Sequence, residues 1–218
     1  LAHEFSTLAT LKHPNIVPVM DYGFDEQGHP YYTMAWIENA RDIREVAQTL
    51  PLLERIELIS QIYRALAYLH RRGILHRDIK PGNVLVGPDR DVYLLDFGLS
   101  VDVRKAQGIA GTLAYMPPEV LSDERSVPAS DLYSAGILAV ECLTGNYPYS
   151  RDGSIHVLMR QILEDPPQIK GPELSPALCD VFGKLLSKNP DHRYTSADQV
   201  IRALCAAVGL PPPEDSEE

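Results

Sequence analysis

Apolar residues at Leu1, Phe5, Leu8 and Leu11 recur at helical spacing and predict the end of a helix over 1–11. Lys12-His13-Pro14-Asn15 stops it, because the residue before a proline is steered out of the helical region. Residues 16–22 and 31–37 then read as strands, joined through Gly23, Asp25, Gly28 and Pro30. A short helix is expected over 41–50 and a longer one over 52–72. In the longer one Leu53, Ile56, Ile59, Tyr63, Leu66 and Leu69 form one stripe, and Gly73 suits its stop. Val84-Leu85-Val86 and Val92-Tyr93-Leu94-Leu95 are short apolar runs around Gly87, Pro88 and Asp89, the pattern of a hairpin. Residues 128–144 are almost wholly apolar, which marks a buried helix. Ser130 or Asp131 can cap its start and Gly145 its end. Asp131 needs partners there, because an unpaired buried carboxylate is very costly. Three weaker helices are expected over 154–164, 175–187 and 195–208. Pro211-Pro212-Pro213 and the acidic end read as a linker.

The hairpin gives this pattern chemical content. It is preceded by His76-Arg77-Asp78-Ile79-Lys80-Pro81-Gly82-Asn83 and followed by Asp96-Phe97-Gly98. A hairpin brings its ends together, so Asp96 returns to the neighbourhood of Asn83 and Asp78. Three oxygen-bearing side chains and the Lys80 ammonium then converge on one spot. Carboxylate and amide oxygens suit Mg²⁺, which is usually held by one or two carboxylates plus substrate phosphates. Phosphoryl transfer needs that metal, a carboxylate to orient a hydroxyl, and a cation for the migrating group.

Composition narrows the class. At 218 residues the chain fits one domain with a substantial core, and 44% hydrophobic with 23% charged residues is ordinary for a globular protein. A net charge of −10 and a pI near 5.1 argue against a nucleic-acid-binding surface. Glu214, Asp215, Glu217 and Glu218 supply four of those charges, so the charge speaks mostly of solubility. Cys142, Cys179 and Cys205 are far apart with no CxxC pair, which fits reduced thiols and a cytoplasmic setting. No apolar run approaches the roughly 18 residues that a membrane span needs. The chain opens on Leu1 inside a helical pattern, so a piece of a longer polypeptide with further domains is expected.

The run from His76 to Asn83 resembles the catalytic loop of protein kinases, and Asp96-Phe97-Gly98 is similar to their metal-binding triplet. The resemblance implies an α+β, two-lobe fold with an incomplete small lobe over 1–37, a helical large lobe over 38–208 and a tail over 209–218. The glycine-rich loop and the strand lysine that grips the ATP phosphates have no counterpart in this sequence. By resemblance Asp78 is the base that accepts the substrate hydroxyl proton, and Lys80 steadies the phosphoryl group. Asn83 and Asp96 hold Mg²⁺, and Glu4 pairs with the strand lysine. Met34 is the gatekeeper behind adenine. Backbone groups of Ala35 and Ile37 bond adenine, and Leu85 lies beside the nucleotide. Gly111-Thr112, Tyr115 and Pro117-Pro118-Glu119 resemble the end of an activation segment, with Thr112 bonding near Asp78 and Lys80. Ser100 is the sole hydroxyl residue over 99–111, so no activating phosphate is expected at mid-segment. Asp131 is expected to bond the backbone around His76 and Arg77. Arg193 is expected to pair with Glu119, and Leu8, Val19, His76 and Phe97 to form a column between the lobes. The implied activity is ATP- and Mg²⁺-dependent phosphorylation of Ser or Thr on a protein. The rival readings are a pseudokinase scaffold and a small-molecule phosphotransferase.

Overall fold

The computed structural model describes residues 10–96 and 113–211. Expectations about Glu4, Leu8, Phe97, Ser100, Gly111 and Thr112 fall outside the described residues.

The described chain begins with a two-stranded antiparallel ribbon, β1 (Val19–Phe24) and β2 (Pro30–Met34). The first strand starts later than its apolar pattern suggests. Ile16 and Val17 are buried, and Ile16 joins the main core instead of the ribbon. Val17 N–H donates to the Leu94 carbonyl at 3.1 Å, and Leu94 N–H donates to the Asn15 carbonyl at 2.9 Å. The backbone of 15–17 therefore roots the ribbon in the second sheet.

That sheet is antiparallel, in the order β3 (Arg41–Asp42), β4 (Val84–Val86), β5 (Val92–Leu94). The hairpin pairs Val84 with Leu94 and Val86 with Val92, as the two apolar runs predict. Its turn is wider than Gly87-Pro88-Asp89. Gly87 N–H donates to the Asp91 carbonyl at 2.9 Å, and Arg90 takes a positive φ of 67°. The expected helix over 41–50 is corrected in part. Arg41 and Asp42 pair with Val86 and Leu85, and only α1 (Ile43–Ala47) is helical. Asp42 caps α1 by accepting from Arg44 N–H.

The helical half is built on α2 (Leu52–Arg71) and α4 (Pro128–Thr144), which pack against each other. Every residue of α4 from Ser130 to Leu143 is buried, as an all-round apolar helix requires. The predicted cap is corrected. Val127 stands at the N-cap with Pro128 next, and Ser130 reaches back to accept Val127 N–H at 3.0 Å. Asp131 is thereby left to serve another element. Gly145 closes the helix at φ 72°, where a β-carbon would be strained. The stripe of α2 is wider than its spacing suggests, since Leu58 and Ile62 are also buried while Leu53 is 50% exposed. The short α3 (Pro118–Leu121) has no apolar period and was not foreseen. After α4 come α5 (Ile155–Glu164), α6 (Pro176–Leu185) and α7 (Ala197–Ala207). Serine hydroxyls cap α6 and α7 at Ser175 and Ser196. Cys142 is a buried free thiol, as a small apolar residue would be.

Candidate active site

The loop between α2 and β4 carries the candidate chemistry, and a floor of buried polar groups holds it. Asp131, 2% exposed, accepts from His76 N–H at 2.9 Å and Arg77 N–H at 2.8 Å. Its Oδ2 also lies 2.8 Å from His70 Nε2. Arg77 takes a positive φ of 67°, an uncommon conformation for a residue with a β-carbon. The two-pronged grip of Asp131 fixes that bend, as expected for this residue. His70, on the last turn of α2, was not singled out in the sequence. A histidine one turn before a helix stop gives no signal until the buried carboxylate is placed opposite it.

A second buried unit lies beneath. Arg193 forms two parallel bonds of 2.7 Å to the two Glu119 oxygens, with the side chains 0% and 3% exposed. The remaining guanidinium hydrogens go to the carbonyls of Ser187, Ala129 and Lys188, and Ser130 Oγ donates to Glu119 Oε1. Burial alone would raise the Glu119 carboxyl, but Arg193 overrides it and holds the group below its ordinary range. The expected pair is therefore present, bidentate and satisfied.

Above this floor the polar side chains converge. Lys80 Nζ lies 2.6 Å from Asp78 Oδ2, and Asn83 Nδ2 donates to the same oxygen at 2.8 Å. Asn83 Nδ2 also reaches the Asp78 carbonyl at 2.9 Å. The Asp78 side chain stays 17% exposed and that of Lys80 27%, so both remain accessible. Leu95 N–H donates to the Asn83 carbonyl at 2.9 Å, which sets Asp96 one residue from the partner of Asn83. Asp96 takes a positive φ of 45°, and its Oδ1 accepts from Tyr32 Oη at 2.5 Å. Burial first, then that carboxylate, pushes the Tyr32 phenol well above its ordinary range, so the hydroxyl keeps its proton and donates.

These donors suit a hard cation. Asn83 turns its amide nitrogen to Asp78, which leaves its amide oxygen facing away from that bond, and Asp96 adds a carboxylate. Among the described residues no three His, Cys, Asp or Glu side chains cluster as a metal cage. A pair of oxygens of this kind matches an ion that draws its other ligands from phosphates and water.

The ribbon supplies the remaining candidates. Met34 ends β2 opposite Val19 and is partly buried. Ala35 N–H donates to the Pro18 carbonyl at 3.0 Å, and the Ile37 carbonyl accepts from Ala40 N–H at 3.4 Å. Among the described residues, the Ala35 carbonyl and the Ile37 N–H have no backbone partner. One acceptor and one donor, two residues apart, complement the amine and ring-nitrogen edge of a purine. Leu85 is half-buried in β4, opposite Asp42 and Tyr93. Val19 packs against the core, and His76 is fully buried. Two further residues went unrecognised. Asn15, 5% exposed, donates to Gln61 Oε1 at 2.8 Å and to the Val92 carbonyl at 2.9 Å, tying the ribbon's root to β5. Glu141 collects Tyr115 Oη and, at 2.7 Å, Arg151.

Comparison with known proteins agrees with this arrangement. A family model described as "Protein kinase domain" matches residues 1–204. The chain is 34% identical over 226 residues to the serine/threonine-protein kinase PknA of Mycobacterium tuberculosis, covering 98% of this chain and 52% of that protein. It is 34% identical over 211 residues to a probable serine/threonine-protein kinase of Streptomyces coelicolor, covering 90% and 31%. It is 33% identical over 224 residues to the serine/threonine-protein kinase PknB of Mycobacterium leprae, covering 97% and 36%. The chain thus spans about half the length, or less, of these relatives. No helix among the described residues is long and apolar enough to cross a membrane.

Proposed function

Since the chain belongs to the protein kinase domain family, we propose that it carries the catalytic loop of an enzyme that transfers the ATP γ-phosphoryl group to Ser or Thr on a protein. The observation that carries this reading is the Asp78 carboxylate. Lys80 and Asn83 both hold its Oδ2, so its Oδ1 is oriented for an incoming hydroxyl. Asp78 orients that hydroxyl and takes its proton as the new oxygen–phosphorus bond forms and the bond from the γ-phosphorus to the bridging oxygen breaks, releasing ADP. Lys80 keeps Asp78 in place and presents positive charge to the oxygens of the migrating group. Asn83 and Asp96 supply the oxygens for Mg²⁺, which when bound neutralises phosphate charge. The Ala35 carbonyl and Ile37 N–H recognise adenine, with Met34 behind it and Leu85 beneath. Thr112 steadies the acceptor end, and Glu4 is the partner for a phosphate-gripping lysine that this sequence does not itself contain. In this division residues 1–37 belong to the small lobe and hinge, 38–208 to the large lobe and 209–218 to a tail.

The test is the acceptor. The full-length protein, given ATP, Mg²⁺ and a mixed protein substrate, is expected to yield phosphoserine or phosphothreonine, and Asp78→Asn to abolish it. Phosphorylation of small hydroxylated molecules but of no protein would overturn the substrate class. Equal phosphotransfer by wild type and Asp78→Asn would overturn the role of the loop.

A further inference from the structure

One contact lies outside the roles just assigned. Tyr32 sits in β2, two residues before Met34, so their side chains share a face of the strand. On the proposed reading that face looks onto the nucleotide cleft. The Tyr32 ring extends from the ribbon to Asp96, at the far side of the hairpin, and places its hydroxyl 2.5 Å from Asp96 Oδ1. The bond spans 64 residues of sequence and joins the ribbon to the metal-binding corner.

Two demands then meet at one carboxylate. Mg²⁺ requires oxygens in a near-octahedral set at about 2.0–2.1 Å. A phenol proton directed at the same carboxylate occupies one of its lone pairs and draws down its charge. The hydroxyl compensates Asp96 where the backbone is bent to positive φ and the residue is exposed.

We propose that Tyr32 is a latch on the metal site: its hydroxyl holds Asp96 in the metal-free protein and must release it before metal and nucleotide load. This rests on the reading of Asp96 as a metal ligand. The latch lowers metal–nucleotide affinity and links loading to a movement of the ribbon against the hairpin.

The test uses the full-length protein, Mn²⁺ as a paramagnetic substitute for Mg²⁺, and a non-hydrolysable ATP analogue. Binding is read by electron paramagnetic resonance, and melting midpoints confirm folding. Tyr32→Phe keeps the ring and removes the hydroxyl. It is expected to bind Mn²⁺ with the analogue roughly ten- to 150-fold more tightly, as for loss of one hydrogen bond to a charged group. Unchanged or weaker binding overturns the latch. Asp96→Asn separates this from the underlying site, since it must weaken Mn²⁺ binding; if it does not, the metal reading fails and the latch with it. A second readout needs no Tyr32 variant. In protein labelled at the tyrosine ring carbons, the resonance displaced by Asp96→Asn is expected to shift when Mg²⁺ and the analogue saturate the wild type. A resonance that stays put under saturation overturns the proposal.

Discussion

The floor and the rim of the proposed catalytic loop are both made of acids and amides, yet they use them in opposite ways. On the floor, Asp131 has three nitrogen partners within 2.9 Å, and the two Glu119 oxygens face the Arg193 guanidinium. These groups are buried, and their bonding capacity is turned on the protein itself. On the rim, Asp78 has both donors on one oxygen, and Asn83 turns its amide nitrogen inward. The difference separates structure from function more sharply than residue type can. A buried carboxylate with its bonds made is a fastener. A partly exposed one with an oxygen left over is, on the proposed function, placed to act as a reagent.

The largest effect on stability should come from the floor. Arg193→Ala strands the buried Glu119 charge and is expected to cost about 3–5 kcal/mol, read by urea unfolding. A loss under 1 kcal/mol would mean that the pair is not the fastener described. Asp131→Ala is the variant that joins the two regions. It is expected to cost about 1.5–3 kcal/mol, the scale of a hydrogen bond to a charged group, and it frees the bend at Arg77. Stability and turnover should fall together, and a stable variant with full turnover would break the link between floor and loop. Asn15→Ala should cost less, roughly 1 kcal/mol, by loosening the ribbon's root. Its melting midpoint should drop while the hairpin keeps its amide-exchange protection. Least of all is the expected acid response. Glu119 titrates below its ordinary 4.5 in the folded protein, so the pair's contribution is complete above that pH. It is lost as pH falls through the lower folded value. The stability gap between wild type and Glu119→Gln should therefore narrow on acidification below 4.5, and a gap that widens would reverse the sign.

How far these features were legible depends on whether neighbours in sequence or only neighbours in space create them. The buried helix at Pro128–Thr144 declares itself, since no solvent-facing stripe interrupts it. The hairpin does so too, because two apolar runs flank a Gly-Pro-Asp turn. Asp131 stands out as a charge within that buried helix, which forces a search for its partners. By contrast β3 is a polar pair, Arg41-Asp42, made into a strand solely by the edge of β4. Ile16 and Val17 look continuous with β1, yet their backbone follows Leu94 instead. Tyr32 shows the same limit at the site. Strand parity gives its face, but its reach to Asp96 depends on how two sheets meet.

The contrast between fastener and reagent is tested most directly on Asp78, by measuring turnover and melting midpoint on the same Asp78→Ala preparation of the full-length protein. The expected result is a rate lowered by roughly 10²–10⁴ with the melting midpoint held near that of wild type. A midpoint that collapses along with the rate, or a rate that survives, would show that Asp78 belongs to the floor and not to the chemistry.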